Sequence, residues 1–371
     1  MLLPFFNKKK NKRGLIGVDI QPYRVACAHV VHSDNSGNKS GNKPGNKPKL
    51  KQCVFEDVAA DANGDISAVT QTVSNVAKSF PLGQFFCNSS IDDTSYELLL
   101  TEAPNVESSE LKQAVRWRIK DQLPYHIDDA VIDVFEIPGQ QSARAQLMYV
   151  VAAQQQNIER RVGQLKQAGM DLQSIDIYEL AQRNIAAILP EDKEGVVILH
   201  LNENSGLLTI TRNGVLFLTR NIDFGVNRLA TILDTGLDAG AEIELSLDEL
   251  MEGAENDDNE ILTEVDIEPQ ADAQTPVLNE QGKLIIDEVI LEIQRSLDYY
   301  VSHFNQRPVN KVILVPLVIQ VPGAIEYINE MLGIKAEMLD FNQHLDIAKP
   351  LSRELQARCF VAIGLALRQE V

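Results

Sequence analysis

The sequence predicts an α/β protein of more than one domain, and three observations predict it. From Ile66 onward, apolar residues alternate between the spacing of strands and the spacing of helices. Each half of the chain opens on a β-hairpin pattern, GLIGVDIQPYRVACAHV at 14–30 and GVVILHLNENSGLLTITRNGVLFLTRNID at 195–223, a weak sign of internal duplication. The length, 371 residues, exceeds what one small core needs, and a hydrophobic share of 44% is that of an ordinary globular protein.

The elements follow in order. Residues 1–13 pair an apolar head (Leu2, Leu3, Phe5, Phe6) with Lys8, Lys9, Lys10, Lys12 and Arg13. Such a pairing either holds a protein weakly at an anionic membrane surface or serves as a solubilising terminus. The charges follow the apolar residues, the reverse of a signal peptide, and no window reaches the ~20 apolar residues that cross a bilayer, so a cytoplasmic location is expected. After the first hairpin, the tandem Gly-Asn-Lys stretch at 33–49 has nothing to bury and reads as a flexible extension. KLKQCVFEDV resumes strand character, ISAVTQTVSNVAKSF is helical, and QFFCNSS and TSYELLLTEA are strands. ESSELKQAVRWRIKDQL is an amphipathic helix with Leu111, Val115 and Ile119 on one face and a serine pair available to cap it. Two strands, AVIDVFEIP and AQLMYVVAA, precede a helix that ends at Gly169 and then a strand-to-helix unit, SIDIYELAQRNIAAILP.

In the second half, Asn213-Gly214 marks a tight hairpin turn. The stretch 238–280 holds 15 acids and no Lys or Arg, so of the net charge of −19 only −4 belongs to the rest of the chain. It reads as mostly disordered, and its charge argues against a nucleic-acid partner. KLIIDEVILEIQRSLDYYVSHF is a long helix with Ile286, Val289, Ile293, Leu297 and Tyr300 on one face, KVILVPLVIQV a strand, PGAIEYINEMLG a helix and ARCFVAIGLALRQ a closing small-residue helix. Cys27, Cys53, Cys87 and Cys359 form no CxxC pair and read as reduced core thiols, and the six histidines have no metal-ligand spacing.

Three passages, in this order, resemble the PilM-type actin-like proteins of type IV pilus assembly, and within them the branch serving mannose-sensitive haemagglutinin (MSHA) pili. They are LKQAVRWRIKDQLPYHIDDAVIDVFEIP, ITRNGVLFLTRNIDFG with Arg220 and Gly225, and IDEVILEIQRSLDYYVSHF. The resemblance implies a two-lobed actin-like fold of the FtsA type, with an RNase-H-like core in each lobe and a small inserted α+β domain. It divides the chain into a first-lobe core at 14–90 and 156–194, the inserted domain at 91–155, and a second lobe at 195–371.

The same resemblance implies where nucleotide loops would lie. Family members that bind ATP carry Asp-Gly turns in both lobes and a Gly-Gly loop at the adenosine, because backbone amides must approach phosphate oxygens without an intervening Cβ. Here Asp19 remains, but Gln21 and Pro22 follow it, His200-Leu201-Asn202 stands at the second turn, and Pro316-Leu317 replaces the Gly-Gly pair. Asp19, Gln21, Tyr23, Asn202 and Asn204 are therefore the residues of a vestigial site, with weak Mg-ATP binding left open, no metal site and no enzymatic activity expected. The resemblance further implies a scaffold that docks the cytoplasmic tail of a bitopic membrane protein (PilN-like; MshJ in the MSHA system) and couples it to the pilus assembly platform and its ATPase. The docking groove lies between the first-lobe core and the inserted domain. Arg116, Trp117 and Arg118 are the candidate partner-binding residues, against the blander reading of a buried tryptophan on a solvated helix. The rival expectation is an actin-like ATP-binding protein whose nucleotide state gates assembly.

Overall fold

The computed structural model describes residues 14–32, 47–59, 65–107, 109–138, 146–235 and 278–369. The apolar-basic head, most of the Gly-Asn-Lys extension and the acidic stretch up to residue 277 lie outside the described residues.

Apolar alternation from Gly14 onward produces three antiparallel strands, β1 (Gly14–Ile20), β2 (Arg24–Val31) and β3 (Lys49–Asp57). Two further strands, β4 (Phe86–Ser90) and β8 (Leu172–Asp176), run parallel to β1, and with the late two-residue strand β14 (Asp346–Ile347) the sheet order is β14-β3-β2-β1-β4-β8. The second half repeats this plan. Strands β9 (Val196–Leu201), β10 (Gly206–Arg212) and β11 (Val215–Ile222) are antiparallel, and β12 (Lys311–Leu314) and β13 (Lys335–Met338) continue parallel to β9. Positive φ at Asn213 (53°) and Gly214 (73°) gives the β10–β11 turn the twist an antiparallel hairpin needs.

Helices α1 (Ile66–Ala77) and α3 (Gln155–Gln167) supply Val69, Val73, Val76 and Leu165 to one face of the first sheet. Asp65 caps α1 through the amides of Ser67 and Ala68. One face of the second sheet is covered by α5 (Val226–Thr235), α6 (Glu280–Phe304) and α7 (Ala324–Leu332). On α6, Ile286, Val289, Ile293 and Tyr300 are buried and Leu297 packs beside them. Between the sheets lie α4 (Tyr178–Ala186) and α10 (Phe360–Ala366), in a core that takes Ala26, Ala28 and Val30 from one lobe and Val196, Ile198 and Ile313 from the other. The remaining short elements are α8 (Phe341–His344), β14 (Asp346–Ile347) and α9 (Arg353–Arg358).

The three-stranded sheet β5-β7-β6 stands apart from both. It comprises β5 (Tyr96–Glu102), β6 (Ala130–Glu136) and β7 (Leu147–Gln154), with α2 (Leu111–Ile119) across one face. Leu111, Val115 and Ile119 pack on Met148, Val150 and Ala152. The alternate residues of β7 point the other way, and Tyr149 donates a hydrogen bond to the Phe217 carbonyl of the second lobe at 3.1 Å.

Four local expectations change. The strand expected over 311–321 stops at Leu314, because Pro316 has no amide to donate to a ladder. The chain after Asp346 returns to the first lobe, since β14 pairs with β3 and α10 packs on β1, so 195–371 is not one lobe throughout. The closing helix breaks into α9 and α10 at Cys359. Glu110, not a serine, precedes α2, and it makes no side-chain cap.

Candidate functional site

Two places could act on a ligand: the cleft between the lobes, and a groove beside the inserted sheet. In the cleft, Asp19 ends β1 with its carboxylate turned inward, accepting from Ser90 Oγ at 2.7 Å and from Gln21 Nε2 at 3.1 Å. Burial raises its pKa above the ordinary carboxylate value, and the bonds from Ser90 and Gln21 offset part of that rise. Gln21 also donates to Tyr178 Oη at 3.2 Å, which ties the first turn to α4. Behind them Arg161 is buried, donating to the Ile20 carbonyl at 3.0 Å and to Asp92 at 2.9 Å. Tyr23 is half-buried beside Arg24, and burial pushes its pKa up to about 12.

The second turn is closed on itself. Asn202 N–H donates to the Ser205 carbonyl, and the carbonyls of Asn202 and Glu203 accept from Val226 and Asn227 at the start of α5. Asn204 Oδ1 accepts from Asn227 Nδ2 at 2.8 Å. Gly225 is required for this approach, because a Cβ there would sit 2.5 Å from the Glu203 carbonyl oxygen. At the third loop, Val315 N–H goes to Leu199, and Pro316 offers none.

The first turn offers a phosphate few free backbone amides. The Gln21 amide is spent on the Arg24 carbonyl and Pro22 has no amide. Asp19 and Gln21 are hydrogen-bonded at the first turn and Asn202 and Asn204 belong to the second; Asn202 lines a cavity of about 390 Å³ and Gln21 a separate one of about 130 Å³. The larger cavity holds Glu179, which accepts from Tyr96 Oη at 2.7 Å and whose pKa burial raises to about 6. His200, against Phe360, is pushed by burial down to about 4 and is neutral. A larger apolar cavity, about 700 Å³, lies under the third loop, with Leu229 and Leu278 in its wall.

The groove is different in kind. Strand β6 is an edge of the inserted sheet and β8 an edge of the first sheet, and the space between them encloses about 270 Å³. Val131, Phe135 and Val151 form one wall, and Ile158 of α3, Ile175 of β8 and Leu180 of α4 form the other. At one end Arg368 bonds Asp176 at 2.5 Å and Arg183 stands close by, so two guanidinium groups face one buried carboxylate. Arg183 has no carboxylate within ion-pair distance among the described residues.

Arg116, Trp117 and Arg118 do not line this groove. They sit on α2, across the opposite face of the inserted sheet. Trp117 is 65% exposed, so the expectation of a buried tryptophan fails. The two arginines are staples of the domain: Arg116 donates to the Ile127 carbonyl at 2.5 Å and to Asp128 at 3.0 Å, and Arg118 to the Glu102 carbonyl at 2.7 Å. Sequence reasoning also passed over Arg161, although a signal existed. It takes the apolar-stripe position between Ile158 and Leu165 on α3, where a charge must find a buried partner.

Two sheets of one topology, a shared helical layer between them and an inserted α+β unit define a two-lobed actin-like protein. A solved PilM-PilN type IV pilus biogenesis complex aligns with a TM-score of 0.63 over 95% of this chain and 97% of that one, at 16% identity. The ethanolamine utilization protein EutJ from Carboxydothermus hydrogenoformans aligns at 0.43 (11% identity, 99% and 92% covered). A Bacteroides thetaiotaomicron protein with an actin-like ATPase fold and unknown function aligns at 0.41 (7% identity, 93% and 95% covered). No curated protein sequence matches the chain. The family model for type IV pilus assembly protein PilM matches residues 49–249, more than half of the chain. The chain belongs to the PilM family of type IV pilus assembly proteins. No helix among the described residues is long and apolar enough to cross a membrane.

Proposed function

We propose that this protein is a non-catalytic cytoplasmic scaffold, peripheral to the inner membrane, in the assembly platform of an MSHA-type pilus, the role of MshI-like members of the family. It docks the cytoplasmic tail of a PilN-like bitopic protein (MshJ in the MSHA system) and couples it to the platform's ATPase. The observation that carries this reading is the groove between two sheet edges. An extended peptide can add to β6 through its backbone, while apolar pockets on both walls select its side chains. Carbonyl or carboxylate groups of the peptide suit the Arg183 and Arg368 end. That the aligned PilM structure is a complex with PilN supports a partner of this class. The turns of the cleft, closed on their own carbonyls, support a scaffold over an ATPase.

Calorimetric titration tests the reading. A synthetic peptide of the N-terminal tail of the host's own PilN-like protein, titrated into the full chain, should bind with about micromolar Kd, as expected for so small an interface. Ile158→Glu, which sets a charge on the groove wall, should weaken it about thirtyfold or more, whereas Asn202→Ala in the cleft should leave it unchanged. Mg-ATP should give no heat of binding. ATP turnover that Asp19→Ala abolishes would replace the scaffold with the gating ATPase.

A further inference from the structure

We propose that the groove has an occupant in cis: the apolar head of this chain, residues 1–6, docks as an extended segment along β6 and is displaced when a partner tail binds. The proposal rests on reading the groove as a peptide dock, and adds a regulator to it.

Reach permits it. Leu172 lines the groove and pairs with Cys87, which in turn pairs with Ile16 of β1. The groove thus lies two strand spacings, about 10 Å, from the start of β1. Residues 7–13, extended, span up to about 25 Å, enough to bring the head past β8 to β6.

Chemistry favours it. Leu2, Leu3, Phe5 and Phe6 offer apolar side chains on both faces of an extended segment, and the groove is apolar on both walls. Pro4 is tolerated in a strand added at an edge, where alternate amides point away from the ladder. The five cations that follow, Lys8 to Arg13, meet a strand flanked by acids: Asp128, Asp129, Asp133 and Glu136. Asp128 and Asp133 are paired with Arg116 and Lys112, while Asp129 and Glu136 are exposed and have no cation partner among the described residues. An anionic membrane would also attract the head, but the groove lies within reach and is built with both complementary features.

Tethering supplies the affinity that six residues lack. A tether of seven residues holds its end at about millimolar effective concentration. If the free head binds with a Kd of about 100 µM, the tethered head fills the groove in about nine molecules of ten, and weakens any ligand added in trans about tenfold.

The test uses the full chain and a fluorescein-labelled synthetic peptide of residues 1–13. The chain carrying Leu3→Asp and Phe5→Asp should bind the labelled peptide about tenfold more tightly than the unaltered chain, and adding Ile158→Glu should abolish that binding. A photoreactive residue at position 3 of the otherwise unaltered chain should crosslink within the chain to 130–136, 155–167 or 172–183, with a yield independent of protein concentration. Equal affinity of the two chains for the peptide overturns the proposal. So do crosslinks that form only between two chains, or only to lipid in phosphatidylglycerol vesicles. The partner tail peptide separates the two readings. If it binds both chains equally, the dock stands and the cis occupant falls. If the head docks and no tail peptide displaces it, the partner reading falls.

Discussion

In the cleft between the lobes, nearly every polar group near the hairpin turns is answered by another group of the same chain. Asp19 is held by Ser90 and Gln21, Gln21 by Tyr178, and the carbonyls of Asn202 and Glu203 by the start of α5. In the groove the situation is reversed: β6 and β8 each have one neighbouring strand, and the space between them is apolar and open. An actin-like frame brings two lobes together whatever the cleft holds, so the cleft can turn into a structural joint while another surface keeps the capacity to bind. The comparison has a measurable form. Substitutions in the joint should change stability and leave tail affinity alone, and substitutions in the groove should do the opposite.

The largest effect is expected at Arg161. Arg161→Ala leaves Asp92 and the Ile20 carbonyl without their partner, and should cost about 3 kcal/mol or more in urea unfolding. Tail affinity measured on the folded fraction should stay within twofold, and a parallel loss of affinity would mean that joint and groove are one unit. Gly225→Ala comes next. Its new Cβ meets two backbone carbonyls, so a loss of about 2 kcal/mol is expected, read as a lower thermal midpoint. An unchanged midpoint would show that the second turn is not locked to α5.

Acidity sharpens the comparison further, since Glu179 and His200 line one cavity and oppose each other. With a folded pKa of about 6 against an ordinary 4.5, Glu179 binds its proton more tightly in the folded state. Its contribution is therefore full below pH 4.5 and is lost as pH rises through 6, by about 2 kcal/mol. His200, lowered from 6.5 to about 4, works the other way: its stabilisation is full above 6.5 and is lost as pH falls toward 4. Glu179→Gln should raise stability at pH 7, by up to about 2 kcal/mol, and steepen the loss between pH 6 and 4.5, as followed by chemical unfolding at each pH. A flat difference between the two proteins across that range would contradict the assignment. The smallest effect is expected at Trp117, where Trp117→Ala should shift stability by less than about 0.5 kcal/mol and leave tail affinity untouched. A marked drop in affinity would restore α2 as a binding surface.

Much of the fold was legible because it is local. The Asn213-Gly214 hairpin, the stripe of α6 and the alternation of β5 through β8 all follow from periods of two and 3.6. Trp117 was misread as buried, although at about 100° per residue it lies some 200° around the helix from both Val115 and Ile119, whose side is the buried one. The return of the chain to the first lobe was not legible. Nothing in ARCFVAIGLALRQ says which sheet its small residues will meet, because that depends on Gly17, more than three hundred residues earlier. The family resemblance implied a groove between the first-lobe core and the inserted domain, but its lining was hidden for a similar reason, as the walls come from five elements, β6, β7, α3, β8 and α4. Asp19 was found as a residue, but its inward turn depends on Ser90, a partner on another strand.

The packing of α10 on β1 also orders events in time. Gly17 lies so close to this helix that a Cβ would come within 1.9 Å of the Ala362 carbonyl oxygen, and Gly364 approaches Ala181 of α4 in the same way. The core of the lobe that leaves the ribosome first thus waits for nearly the last described residues, whereas the second sheet has its ladder complete by Met338 and one face already covered. A chain halted before residue 360 carries a finished second ladder and an unfilled first core, and it is the N-terminal half that chaperones and proteases will meet open.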